Sequence, residues 1–192
     1  CSEYSSADSI IKQLQNVIRI VLSGIQGTNY PVPYSEQEEV LQSYMRLLHK
    51  KEDKDYEPRK VLNSDFIGPS SVTLQLDNIS LKDGFSSEPN IRKNYCVTDK
   101  ADGDRKMLYI DSRNGKLYLI DTNLFVQYTG CDVGDKTFWG TLIDGEHIKY
   151  DAARKYINTF AAFDIYYIAG KSVRELDFMF SENEITPEII LK

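Results

Sequence analysis

RKMLYIDSRNGKLYLID (105–121) is the stretch whose reading decides the fold. Two runs rich in β-forming residues, RKMLYID (105–111) and KLYLID (116–121), flank RNG (113–115), where Gly115 can take the positive φ of a tight hairpin turn. A hairpin here means antiparallel pairing. Working outward, VTLQL (72–76) and YCVT (95–98) read as strands before it. FWGTLID (138–144) and INTFAAFDIYYI (157–168) read as strands after it.

Toward the N-terminus the period changes. From Ala7 to about Gln26, Ile10, Ile11, Leu14, Val17, Ile18, Val21, Leu22 and Ile25 recur at three- and four-residue spacing, which predicts an amphipathic helix capped by Ser5 or Ser6. GTNYPVPY (27–34) breaks the pattern with glycine and two prolines. Ser35 followed by Glu38 is a capping-box signature, opening a second helix through Val40, Leu41, Tyr44, Leu47 and Leu48. HKKEDKDYEPRK (49–60) reads as a solvated charge run. The predicted class is α+β: a helical lead-in over residues 1–60, then a mostly antiparallel sheet domain over 61–192.

Composition narrows the function. With 192 residues and 41% hydrophobic content the chain can bury one real core. Its net charge of −6 argues against a dedicated nucleic-acid binder, so any polyanion must meet a local basic cluster. Arg92, Lys93, Lys100, Arg105 and Lys106 are the candidates for that cluster. Cys1, Cys96 and Cys131 form no CxxC pair, which fits reduced thiols inside a cell, and Cys96 is expected to be packed and inert. His49 and His147 make no zinc pattern, and His147 reads as a strand surface residue. No apolar run has the length of a membrane span. The chain opens at Cys1 without a methionine, and a piece of something longer is the expectation.

VTDKADGDRKMLYID (97–111) carries the chemistry. One predicted strand runs into a turn holding Lys100, Asp102, Gly103 and Arg105, and another leaves it. Lysine attacks only after losing its proton, and neighbouring cations and partial desolvation both favour that loss. Gly103 lets backbone approach a ligand closely, and Arg105 offers planar forked donors for phosphate or ribose oxygens.

K-x-D-G-x-R at 100–105 resembles the first signature of the covalent nucleotidyltransferases, the mRNA capping guanylyltransferases and ATP-dependent ligases. TLIDGEHI (141–148) resembles a later acidic turn of that family, and FAAFDIYYIAG (160–170) its aromatic strand. The lead-in GIQGTNYPVPYSEQEEVLQSYMRLL (24–48) and SDFIGPSSVTLQL (64–76) are similar to capping enzymes of large cytoplasmic DNA viruses, African swine fever virus and giant viruses among them.

The resemblance implies the DNA ligase/capping enzyme nucleotidyltransferase fold and a two-step reaction. Lys100 takes GMP from GTP with Mg²⁺ or Mn²⁺ present, then passes it to a 5′-diphosphate RNA end. Asp102 orients the turn, Gly103 lines it, Arg105 and Glu146 hold the ribose, and Phe160 stacks on the base while Phe163 packs in the core. The resemblance names no metal ligands. It also implies triphosphatase and methyltransferase domains in the same polypeptide, no membrane, and a cytoplasmic place of work, in a viral factory or virion. Two other readings stay open here: a ligase adenylylation domain, and an inactive scaffold of the same fold. Residues after Gly170, KSVRELDFMFSENEITPEIILK, match neither the family's second acidic strand nor its K-x-K strand, nor an OB-fold lid. The nucleotidyltransferase domain is therefore expected to be incomplete at its C-terminal end.

Overall fold

The computed structural model describes residues 7–49, 56–81, 90–92 and 95–178. Two helices, α1 (Ala7–Gln26) and α2 (Tyr34–His49), precede six strands. These are β1 (Asp104–Ile110), β2 (Lys116–Asp121), β3 (Val126–Asp132), β4 (Thr141–Tyr150), β5 (Tyr156–Ile168) and β6 (Lys171–Ser172). They form one antiparallel sheet in the order β3-β2-β1-β4-β5-β6. The α+β expectation holds. The 105–121 hairpin is its centre, with Tyr109 opposite Tyr118 and Gly115 at φ 73°.

Alternation divides the sheet into two faces. On the first, Met107, Tyr109, Tyr118, Ile120, Val126 and Leu142 pack against Val40, Tyr44 and Met45 of α2. Two clamps fasten that helix. Ser43 Oγ donates to Asp111 Oδ1 at 2.9 Å, and Glu36 Oε1 accepts from Lys116 Nζ and Tyr118 Oη, both at 2.8 Å. The tyrosine-rich composition is spent here, where buried rings keep a polar tip bonded.

Several expectations fail for physical reasons. Helix α2 begins at Tyr34, so Ser35 lies inside its first turn instead of capping it. VTLQL and YCVT form no strand. Val72 is 87% exposed and Val97 fully so, and β-forming side chains do not make a strand without a neighbour to pair with. FWGTLID yields a strand only from Thr141, because a 3-10 turn occupies Lys136–Phe138. Strand β3 was not foreseen: Thr129, Gly130 and Cys131 blur its alternation, and it lies at the sheet edge. The apolar stripe of α1 is amphipathic as expected, but Ile10, Leu14, Val17 and Val21 are all more than half exposed. Ser5, Ser6, Lys93, residues 50–55 of the 49–60 charge run and the segment 179–192 lie outside the described residues.

Candidate active site

The turn ahead of β1 sits where it does because Gly103 has no side chain. A Cβ there would lie 2.7 Å from the carbonyl oxygen of His147 on β4. Glycine thus seats the turn against the neighbouring strand. Lys100, three residues earlier, has an 81% exposed side chain. The partial desolvation and cationic neighbour expected for it are therefore not supplied in this conformation: its near charge is the Asp102 carboxylate, and Arg105 is turned to Asp144. The Lys100 amine donates to the Ala101 carbonyl at 3.1 Å and lies 3.7 Å from Asp102 Oδ1.

Arg105 is held far more firmly. Its Nε and Nη2 donate to the two oxygens of Asp144 at 3.1 and 2.6 Å, and Tyr166 Oη donates to the same Oδ2 at 2.7 Å. Asp144 is buried on β4, so its charge is answered by one guanidinium and one phenol. The bonds to Asp144 raise the Arg105 pKa above its ordinary value. Burial, then the bond to Asp144, push the Tyr166 phenol up. A strap before the turn completes the cradle. Arg105 Nη1 donates to Pro69 O at 2.5 Å, and the guanidinium carbon lies 5.8 Å from the centre of the Phe66 ring. Gly68 is required between them, since a Cβ there would meet Arg105 Nη2 at 2.7 Å. Tyr44 ties the strap to α2: its hydroxyl donates to Asp65 O at 3.1 Å and accepts from Ile67 N at 3.0 Å.

Glu146 is the direct cross-strand partner of Arg105, so both side chains share the α2-packed face. One of its carboxylate oxygens, Oε2, is sealed from solvent and has no hydrogen-bond donor. A buried acceptor left open in this way is uncommon in a folded protein.

Phe160 falls on the other face. It pairs with His147, which adjoins Glu146 on β4 and therefore points the opposite way. Phe160 lines a pocket of about 570 Å³ on that side. His147 is buried there, not on the surface, with Nε2 2.8 Å from Asn158 Oδ1. Phe163, expected in the core, is 37% exposed. It is the extra residue where β5 steps from Ala162 opposite Gly145 to Asp164 opposite Asp144. Cys96 is exposed instead of packed. The basic cluster is also divided: Arg105 is engaged by Asp144, and Lys106 is buried on the second face, donating to Gln127 Oε1 at 3.1 Å.

Among the described residues no group of three or more His, Cys, Asp and Glu side chains could hold a metal ion. A Mg²⁺ or Mn²⁺ ion is ordinarily held by one or two carboxylates together with substrate phosphates and waters, so a full side-chain cage is not what such an ion requires. No described helix is long and apolar enough to cross a membrane.

The structure thus brings together a lysine turn leading into a strand, a locked arginine and an acidic partner on the neighbouring strand. Residues 24–190 match the family described as mRNA capping enzyme, catalytic domain, and the chain belongs to that family. It is 30% identical over 166 residues to a "Probable mRNA-capping enzyme" of Acanthamoeba polyphaga mimivirus, covering 85% of this chain and 12% of that protein. The chain thus spans about an eighth of the length of that relative. Between capping enzyme and ligase, the match falls on the capping side.

Proposed function

We propose that this chain is the nucleotide-charging part of an mRNA guanylyltransferase. The Lys100 nitrogen, its proton lost to solvent, attacks the α-phosphorus of GTP; a P–N bond forms as the bond from that phosphorus to the bridging oxygen breaks, and pyrophosphate leaves. A terminal phosphate oxygen of a 5′-diphosphate RNA then attacks the same phosphorus, the P–N bond breaks, and the amine is regenerated. Arg105 and Glu146 carry the reading. They face one another across β1 and β4, one pre-set by Asp144 and the other with an unanswered carboxylate oxygen. A ribose hydroxyl can donate to the Glu146 carboxylate once that side chain turns its sealed oxygen outward, and the remaining Arg105 hydrogens suit the same sugar.

Because Lys100 stands in solvent, the phosphate must be brought to it by groups that hold the rest of the nucleotide. Asp102 is the nearest carboxylate to orient its amine. A nucleotide held by Arg105 and Glu146 cannot reach through the sheet to Phe160. Phe163 and Asp164 together oppose Asp144 at the β5 bulge, which offers Phe163 to the ribose side as the stacking ring. Phe160 then belongs to the second face. Triphosphatase and methyltransferase domains in the same polypeptide fit the small share of the mimivirus relative that the chain spans.

The test is to incubate the full-length protein with GTP or ATP labelled at the α-phosphate. Covalent labelling by GTP, slowed about a hundredfold in Glu146→Gln, is the expected result. Preferential labelling by ATP would assign a ligase instead, and labelling by neither would leave an inactive scaffold.

A further inference from the structure

Lys106 follows the motif arginine and points the other way. It is 8% exposed, and among the described residues no carboxylate lies within ion-pair distance and its one hydrogen bond goes to the neutral amide of Gln127. Its cross-strand neighbour Asp121 spends one oxygen on the amides of Asn123 and Phe125, at 2.8 and 2.9 Å. Asp104, the other nearby carboxylate, is taken by Lys149 at 3.2 Å. An ammonium has three donors, and burying one without a counter-charge is unfavourable unless something else answers it. Burial, then the nearby Lys149 charge, lower the Lys106 pKa and outweigh the opposing pull of Asp121 and Asp104, neither of which makes an ion pair with it. The residue lines a polar cleft of about 560 Å³ that also takes in Gly103, Arg105, Asn123 and Lys149, with the carboxylates of Asp104 and Asp121 in its wall. The cleft therefore begins at the nucleophile turn and takes in Arg105, while Glu146 lies outside it.

We propose that this cleft binds a phosphate group, with Lys106 as the buried charge that fixes it and Lys149 at its mouth. The inference rests on the guanylyl-transfer reading for its context: the favoured source is the RNA acceptor, reaching the nucleophile turn along a cleft that adjoins the nucleotide at Arg105. The phosphate tail of the nucleotide, or the pyrophosphate leaving it, would present the same chemistry.

Lys106→Met in the full-length protein removes the charge at similar length. A purely structural lysine in this position should lose nothing by that exchange, since an apolar side chain suits the burial better. Binding of a fluorescent 5′-diphosphate RNA oligonucleotide and of inorganic pyrophosphate is measured first, without turnover, and the half-saturating GTP and RNA concentrations are measured next. Weakening of RNA binding by roughly tenfold to a hundredfold, the worth of one charge-assisted hydrogen bond, with near-normal GMP labelling and recovery in Lys106→Arg, is expected. Weakening confined to pyrophosphate or GTP assigns the site to the nucleotide's phosphates. Unchanged binding of all three overturns the proposal. Absence of labelling in the unmodified protein would sink the transferase reading alone, since the binding arms still report on the cleft.

Discussion

Both carboxylate oxygens of Asp144 are engaged by the Arg105 guanidinium, across neighbouring strands β4 and β1. Asp144→Asn keeps the shape and removes the charge, leaving a partly buried guanidinium poorly matched. A loss of roughly 2 kcal/mol in urea unfolding is expected, toward the low end for a broken buried pair because Arg105 retains some solvent contact. Nucleotide affinity should fall with it. Wild-type stability in this variant would show that the pair does not organise the site.

Tyr44→Phe tests the strap. The lost hydroxyl serves one carbonyl and one amide, and about 1–2 kcal/mol of stability should go with it. Hydrogen exchange at the Ile67 amide should speed up more than exchange in β2. Equal acceleration at both positions would argue that the strap is not a separate unit.

Gly68→Ala probes the same strap from the ligand side. The added methyl meets Arg105 Nη2 and the Phe66 ring, so either the guanidinium or the strap must shift. The half-saturating GTP concentration should rise severalfold with little change in melting temperature. An unchanged value would mean that the guanidinium orientation is not used in binding.

The Glu36 clamp predicts an acid-sensitive helix. Burial draws the Glu36 carboxyl upward, but bonds from Lys116 and Tyr118 outweigh it and set its pKa below 4.5. With a depressed folded value, its contribution is present above the unfolded pKa and is lost as pH falls through the folded one. Glu36→Gln should cost about 1 kcal/mol near neutral pH, with the difference from wild type shrinking below pH 4.5. A difference that stayed constant down to strong acid would assign the effect to shape, not charge.

The fold was legible where a local signal sufficed. The 105–121 hairpin and the Ala7–Gln26 helix are written in period and turn chemistry, and both occur as read. What failed needed knowledge of neighbours. Val72 and Val97 have strand-forming side chains but no paired strand, and Cys131 lies in a strand whose alternation a glycine interrupts. The candidate site was legible as a set of residues but not as a geometry. Arg105 and Glu146 meet because the β1–β4 register pairs them, and register is a long-range property. Phe160 parted from them because position 160 is paired with His147, one residue beyond Glu146. Asp144 and Tyr166, the groups that set Arg105, stood inside quoted motifs without a signal that singled them out.

The most direct measurement is peptide mapping by mass spectrometry of the full-length protein after reaction with GTP. The account predicts a GMP adduct on the peptide containing Lys100 and none in Lys100→Ala, with that variant still folded by circular dichroism. An adduct on any other residue, or one that persists when Lys100 is replaced, would contradict it.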